Sequence, residues 1–316
     1  MEAKATKTKV RNKIRKESTG ERVFDVFNVI VLILVSIIAI YPLWHVLCAS
    51  FSNATMVAKT NSILLYPLGE NGGVGFSWSA YKQMLSHALI LSGYANSIFI
   101  VVVGTTINVI MTAICAYVLS REGVMLKKPL NLFVMFTMFF SGGMIPGFIV
   151  NTSILHLSES YLSLLLPGAI SVYNMIIMRT NFESIPQSLD EAARLDGAGH
   201  MRILFQIVLP LSKAIIAVMV LYYAVSHWNA WFNASLYLHN RDMWPLQLVL
   251  REILIQNDTT SMASGAGNAA AASDMADIGE TIKYATIVFA TVPILCVYPF
   301  LQKHFTKGVM VGAVKG

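Results

Sequence analysis

The chain alternates between long apolar runs and short polar segments that hold nearly all of its charge. Six runs contain no Asp, Glu, Lys or Arg, and they are residues 27–49, 88–119, 129–157, 162–178, 214–233 and 284–302. A helix rises about 1.5 Å per residue and the hydrocarbon core of a bilayer is about 30 Å thick, so roughly 20 apolar residues cross it. The pattern predicts six transmembrane helices, at about 27–49, 90–119, 130–150, 162–178, 212–233 and 284–302.

The composition agrees with a membrane location. Apolar residues make up 55% of the 316 residues and charged residues only 13%, and the mean hydropathy is +0.61. A soluble domain of this length would expose more apolar surface than its polar residues could cover. We therefore predict an all-α integral membrane protein whose transmembrane domain spans residues 23–303.

Basic residues are distributed unevenly between alternate polar segments. If the N-terminus is cytoplasmic, the inner segments hold 18 Lys and Arg, and the outer segments hold five: Lys59, Lys82, Arg241, Arg251 and Lys283. Basic residues are retained on the cytoplasmic side, so we predict that both termini are cytoplasmic. Residues 1–22 form a basic arm suited to anionic membrane lipid, and residues 304–316 form a tail. The net charge of +6 reflects this bias, and no nucleic-acid partner is expected.

Two of the predicted spans carry residues with a structural meaning. Span two has small or weakly polar residues four apart, namely Gly104, Asn108, Thr112 and Ala116. This spacing favours close helix packing over the lining of a path. Span three contains SGGMIPG at 141–147, where Pro146 is expected to interrupt the helix beside a cavity or at the outer mouth.

The cytoplasmic loop 181–210 is the most charged and glycine-punctuated part of the second half of the chain. Ser184 and Ser188 both have the S-x-x-E/Q spacing of a capping box, so a helix should begin before Glu191 and end near Gly197. A second helical piece at 200–208 should run through Pro210 into span five. A solvated connecting turn would explain the caps and charges, but not the small residues where a partner would make contact.

This loop also contains a recognisable pattern, E-A-A-x3-G-x9-I-x-L-P. The matching residues are Glu191, Ala192, Ala193, Gly197, Ile207, Leu209 and Pro210. The pattern resembles the coupling loop of permease subunits of ABC importers, and EAARLDGA at 191–198 is most similar to the carbohydrate branch. Similarity to oligosaccharide permeases continues over residues 23–316, including SGGMIP, LPGAISVYNMIIMRT, WPLQLVLREIL and the tail KGVMVGAVKG. The resemblance implies a type I ABC importer permease fold.

The resemblance further implies a mechanism and a set of partners. In such importers the coupling helix inserts into a cleft on a cytoplasmic ATPase, and closure of the ATPase dimer on ATP is transmitted through it. The implied docking residues are Asp190, Glu191, Ala192, Ala193, Asp196, Gly197, Ala198, Ile207, Leu209 and Pro210. The implied partners are a second homologous permease subunit, two ATPase subunits, an extracytoplasmic solute-binding protein and a saccharide. The implied location is the cytoplasmic membrane of a bacterium.

The outer half of span five combines aromatic rings with amides and hydroxyls. Sugars are bound by such mixtures, although an aromatic belt at the membrane interface would also place Trp and Tyr here. Both interpretations remain open from the sequence. The candidate path residues are Tyr222, Ser226, Trp228, Asn229 and Trp231, with Asn174 of span four. The outer segment 257–277 is small and polar, so we predict a flexible loop rather than a packed domain. The resemblance to permeases further implies that this loop reaches into the binding protein.

Several motifs are absent from the sequence. There is no G-x4-G-K-[ST] phosphate-binding loop, so we expect no cofactor in this chain and expect ATP and Mg²⁺ to be bound by the partner ATPase. No catalytic constellation and no metal-ligand spacing is present. The alternatives are an ion-coupled secondary carrier, which the uncharged spans disfavour, and a membrane scaffold that does not transport.

Overall fold

The computed structural model describes residues 19–60, 63–86, 88–263 and 281–296. This part of the chain is mostly helical, as predicted, and its single β contact is an isolated bridge between Leu68 and Val74. The helices are α1 Thr19–Ser50, α2 Ala54–Lys59, α3 Ser79–Leu85, α4 Leu89–Ser120, α5 Lys127–Phe139, α6 Met144–Ile149, α7 Leu162–Leu165, α8 Val172–Glu183, α9 Gln187–Leu195, α10 His200–Ile203, α11 Leu209–Leu211, α12 Lys213–Asn229, α13 Phe232–Tyr237, α14 Leu246–Ala263 and α15 Thr281–Cys296. Wide π-helical turns at Val150–Ile154 and Leu204–Val208 follow α6 and α10.

Two of these helices, α1 and α4, are each long and apolar enough to cross a membrane. Two bent pairs raise the number to four if each pair crosses as one span. Lys127–Phe139 meets Met144–Ile154 at 112°, and His200–Leu211 meets Lys213–Asn229 at 89°. The shorter apolar helix α15 covers most of the sixth predicted span, and the rest of that span lies outside the described residues. The basic arm before Thr19 and the tail 304–316 also lie outside them.

The core forms around α4, which packs against α8, α12 and α14. One buried cluster joins the membrane helices to the cytoplasmic loop, and its largest members include Met175, Met178, Phe182, Ile203, Leu204 and Met219. In contrast, α5 and α6 bury no residue, and α1 buries only Cys48, Ala49 and Ser50 at its C-terminal end. The chain alone therefore leaves large apolar helix faces open to lipid or to another subunit.

Several element boundaries differ from the predictions. The fourth predicted span, 162–178, is broken between α7 and α8. Helix α8 continues to Glu183, and Arg179 pairs with Glu183 one turn later at 2.9 Å, which adds modest support to this end of the helix. The third predicted span breaks at residues 140–143 rather than at Pro146. Gly143 has φ +83°, a backbone conformation that glycine adopts without strain, and Pro146 lies in the first turn of α6, where no helical N–H is needed. The backbone of α14 is helical to Ala263, so residues 257–263 are not the loop that composition predicted, and 264–280 lie outside the described residues.

The Glu159 carboxylate connects the loop before α7 to the loop after α13. The Glu159 carboxylate accepts hydrogen bonds from the backbone N–H of His239 at 2.8 Å and of Asn240 at 3.2 Å. The His239 side chain also contacts it at 2.5 Å. These backbone hydrogen bonds hold the pKa of Glu159 below its ordinary value.

Candidate docking helix and substrate path

The loop 181–210 folds as a short helix, a tight turn and a second helix. Both predicted serine caps are wrong. Pro186 occupies the N-cap position of α9 in extended backbone, and the Ser184 hydroxyl donates instead to the Asn181 carbonyl at the end of α8. Because proline restricts the residue before it and fixes its own φ, it ends one helical segment and starts the next.

The C-terminal end of α9 is closed by a Schellman motif, as the glycine predicted. Gly197 has φ +78°, its N–H bonds to the Arg194 carbonyl at 3.0 Å, and the Ala198 N–H bonds to the Ala193 carbonyl at 2.9 Å. This pattern satisfies carbonyls that the end of a helix would otherwise leave unpaired. The turn therefore gives α9 a defined end and a defined orientation.

The two faces of α9 differ sharply. On the inner face Asp190 is only 5% exposed, and Ala193 packs against the main core cluster together with Ala198. The outer face exposes Glu191 and Ala192, and the side chain of Leu195 at the end of the helix is 89% exposed. Asp196 and Gly197 are exposed as well. Arg194 is exposed beside them. A charged and apolar surface of this kind, on a firmly held helix, is suited to the groove of a partner protein.

A buried ion pair attaches α9 to the end of α4. The Arg121 guanidinium donates to the Asp190 carboxylate at 2.7 Å, and both side chains are less than a tenth exposed. Arg121 also lies over the Tyr117 ring, 4.8 Å from its centroid. Asp190, which the sequence placed with the docking residues, thus faces inward and positions the helix.

The second half of the loop anchors it to the membrane helices. Ile203, Leu204 and Val208 are buried in the main cluster, and Leu209 packs against it. Ile207 is half-buried and Pro210 is exposed. The chain then turns by 89° into α12, so the predicted passage through Pro210 into span five includes a sharp bend.

The residues four apart on span two pack against α8 and α12. The Asn108 amide donates to the Gly168 carbonyl at 2.6 Å, and its oxygen lies 3.0 Å from His227 Nε2. The Thr112 and Tyr223 hydroxyls are 2.7 Å apart. Gly104 lies against the His227 ring, and Ala116 is fully buried. This confirms the prediction of close helix packing.

The path candidates fall into two groups. Tyr222, Ser226 and Asn229 lie exposed along one face of α12. Trp228 is buried and donates to the Ala290 carbonyl at 3.1 Å, and Asn174 is only 6% exposed. Trp231 is half-buried just beyond α12.

The sequence did not identify Arg251 as a site residue, because it counted only as one of the outer basic residues. Its guanidinium carbon lies 3.4 Å from the centroid of the Trp231 ring. The i, i+4 spacing of Gln247 and Arg251 in WPLQLVLREIL was the signal that could have placed both on one helix face.

The sequence and the fold match known transport proteins. Residues 114–311 match the family described as "Binding-protein-dependent transport system inner membrane component". The chain is 41% identical over 300 residues to the polygalacturonan/rhamnogalacturonan transport system permease protein YtcP of Bacillus subtilis (strain 168), covering 93% of this chain and 99% of that protein. It is also 41% identical over 295 residues to protein LplC of the same strain, covering 93% and 96% of the two chains.

A solved structure has the same fold. It is that of a bacterial ABC transporter involved in the import of the acidic polysaccharide alginate, with a TM-score of 0.79 and 32% sequence identity. The match covers 92% of this chain and 99% of the chain in that structure.

Proposed function

The chain belongs to the binding-protein-dependent transport system inner membrane components, and from this premise we propose that it imports a saccharide as one permease subunit of an ABC importer. The family consists of transport components and not of enzymes. Two relatives named for saccharide transport, one of them of known structure, support the choice of cargo.

The observation that carries the proposal is the architecture of α9. The helix has a proline at its N-cap and a Schellman turn at its C-terminal end, and a buried ion pair fixes its inner face. Its outer face presents Glu191, Ala192 and Leu195 to a partner. We propose that these residues, with Asp196 and Gly197, contact a cytoplasmic ATPase, which binds the ATP and Mg²⁺. A rigid helix loses little conformational entropy on docking, which favours tight coupling.

The open surfaces of the chain support the remaining partners that we propose. The exposed apolar faces of α1, α5 and α6 support contact with lipid and with a second, homologous permease subunit. We propose six transmembrane helices with both termini in the cytoplasm, because this topology places most of the basic residues inside. An extracytoplasmic binding protein would deliver the saccharide to the outer ends of α12 and α14.

The decisive experiment is charge reversal on the exposed face of α9. Glu191→Lys should abolish co-purification of the ATPase and abolish ATP-dependent saccharide uptake, because a like charge would then face the basic partner expected for a carboxylate. The matched control is Glu122→Lys, the same change at an exposed cytoplasmic position outside α9. Uptake and ATPase binding that persist in Glu191→Lys would refute docking through α9. Saccharide uptake by vesicles that lack the ATPase would instead support an ion-coupled carrier.

A further inference from the structure

Arg251 is a cation in α14 that has no carboxylate partner among the described residues. The adjacent Glu252 is already paired, because it accepts from the Arg241 guanidinium. The contact that Arg251 makes is with the face of Trp231, at 3.4 Å from the ring centroid. A guanidinium in a half-buried position is costly to desolvate unless its N–H groups find acceptors. Arg251 is therefore in a position to bind an anion from outside the chain.

Stacking on Trp231 prepares the guanidinium for that role. An arginine that lies over an aromatic ring uses its flat face for the stack, and its N–H donors stay in the plane of the group. Those donors match the two oxygens of a carboxylate. Trp231 thus holds Arg251 in one orientation without consuming its hydrogen-bonding edge. In this arrangement Arg251 is the binding group and Trp231 is a positioning residue.

A cavity of about 260 Å³ lies beside the guanidinium. It is formed between α14 and α15 and is lined by Trp231, Gln247, Arg251, Leu254, Ala290 and Thr291, among others. Its volume is close to the lower limit of roughly 300 Å³ for ligand pockets, which suits one sugar unit rather than a long chain.

The other polar groups of the cavity suit a hydroxylated ligand. Gln247 is half-buried one helical turn before Arg251, and its side-chain amide makes no hydrogen bond to the described residues, so the amide can both donate and accept. The Thr291 hydroxyl donates to the Ile287 carbonyl at 2.7 Å and keeps its oxygen as an acceptor. The cavity therefore combines a cation for a carboxylate with an amide and a hydroxyl for neighbouring OH groups.

The cavity also lies at the proposed path. Trp231 follows the exposed α12 face that carries Tyr222, Ser226 and Asn229. The Trp228 indole N–H, which donates to the carbonyl of Ala290 at 3.1 Å, fixes α15 against this end of α12. The Arg251–Trp231 pair therefore lies just beyond the end of α12 that carries the path candidates.

We propose that the cavity is a subsite for the carboxylate of a uronic acid unit, with Arg251 binding the carboxylate and Gln247 binding an adjacent hydroxyl. This inference rests on the proposed function and narrows its substrate to acidic saccharides. Loss of a charge-assisted, bidentate contact should weaken recognition of the acid roughly tenfold or more. A neutral saccharide should lose little, because its hydroxyls do not need the guanidinium.

The test uses the complete importer reconstituted in proteoliposomes with its binding protein and ATPase. The probes are trigalacturonate and its fully methyl-esterified form, which differ only at the carboxylates. Initial uptake rates at several concentrations give the acid-to-ester preference of each variant. The same binding protein is present throughout, so a change in this preference between variants reports on the permease.

Arg251→Gln should reduce the acid-to-ester preference roughly tenfold or more, and Arg251→Lys should reduce it less because a point charge replaces the planar fork. Trp231→Leu should lower the same ratio without removing the charge. Lys82→Gln, the same loss of charge at an exposed outer position, is the matched control and should leave the ratio unchanged. Equal losses for the acid and the ester in Arg251→Gln would overturn the proposal in favour of a contact with another subunit or with lipid phosphate.

A separate binding experiment distinguishes failure of this inference from failure of the proposed function. The detergent-purified importer is titrated with galacturonate and with its methyl ester by calorimetry. A wild-type complex that binds the acid no more tightly than the ester overturns the subsite, even if both saccharides are imported. Absence of ATP-dependent uptake of both saccharides would count against the proposed function. Tighter binding of the acid that is lost in Arg251→Gln would still support the subsite in that case.

Discussion

Removal of the Asp190 carboxylate should loosen the attachment of α9 to α4. The pair with Arg121 is nearly inaccessible to water, with 8% and 7% of the two side chains exposed. Breaking a buried ion pair by removal of one partner costs about 3–5 kcal/mol, because the other charge remains buried without compensation. The perturbation is Asp190→Ala, which leaves Arg121 in place.

Two details put the expected cost at the lower end of that range. After the substitution Arg121 keeps its contact with the Tyr117 ring, 4.8 Å from the centroid, which retains part of its stabilisation. In addition, Asp190 Oδ1 and Arg121 Nε and Nη2 make no hydrogen bond to other described protein groups, so the native pair is incompletely bonded. We expect Asp190→Ala to lower the free energy of unfolding by about 3 kcal/mol.

The assay is chemical denaturation of the purified protein in detergent, together with hydrogen exchange of the backbone amides of α9. Exchange in α9 should accelerate in Asp190→Ala, and Asp190→Asn should be milder because an amide keeps one hydrogen bond. The exposed neighbour Glu191→Gln should stay within about 0.5 kcal/mol of the wild type. The double variant Arg121→Met with Asp190→Leu should recover most of the loss. An Asp190→Ala cost as small as that of the control would refute the buried pair.

Three further predictions concern the packing, the turn and a loop carboxylate. Gly104→Ala should lower the free energy of unfolding by about 1–3 kcal/mol, since a Cβ there would lie 2.6 Å from the His227 ring. Gly147→Ala is the control and should not destabilise the protein, because a Cβ there meets no neighbour within 4 Å. Thermal melts compare the two variants. Gly197→Ala should lower the free energy of unfolding by about 1–2 kcal/mol, because the φ of +78° at this position is strained for alanine. Chemical unfolding curves of the two proteins measure this difference. Folding lowers the pKa of Glu159, so the stabilisation by its carboxylate is present above the ordinary pKa and is lost as pH falls through the lower, folded-state pKa. Glu159→Gln should therefore flatten the pH dependence of the melting temperature over that acid range. A pH profile unchanged from the wild type would exclude this role.

Local signals predicted much of the fold. Charge-free runs located α1 and α4, the two helices that are long and apolar enough to cross a membrane. The four-residue spacing on span two identified its packing face, because both signals depend only on helix geometry. Glycine at the end of α9 predicted the turn for the same reason. The N-cap of α9 could not be predicted from a local pattern, since Pro186 occupies the position expected for a serine. The Ser184 hydroxyl bonds backward to α8, a competing local bond that the capping pattern does not exclude.

Contacts between distant parts of the chain were not predictable from the pattern. Arg121 and Asp190 are 69 positions apart, and the sequence treated Arg121 as a cytoplasmic charge and Asp190 as a docking residue until the structure paired them. Arg251 and Trp231 were likewise assigned separately, one to the outer charges and one to the aromatic end of span five. Periodicity places residues on a face, but it does not specify which face of another helix will cover it.

The same contacts describe how movement at α9 would reach the far end of the molecule. Asp190 attaches α9 to α4 through Arg121, and Thr112 attaches α4 to α12 through Tyr223. Each contact joins buried polar groups, and leaving one such group unpaired costs about 1–3 kcal/mol. If α9 moved without α4 and α12, these contacts would break and each would cost this free energy. If the three helices moved together, the contacts would be preserved. Force applied to α9 by the proposed ATPase should therefore move these three helices together as one rigid body. The outer end of α12, beside Trp231 and Arg251, should then move with α9.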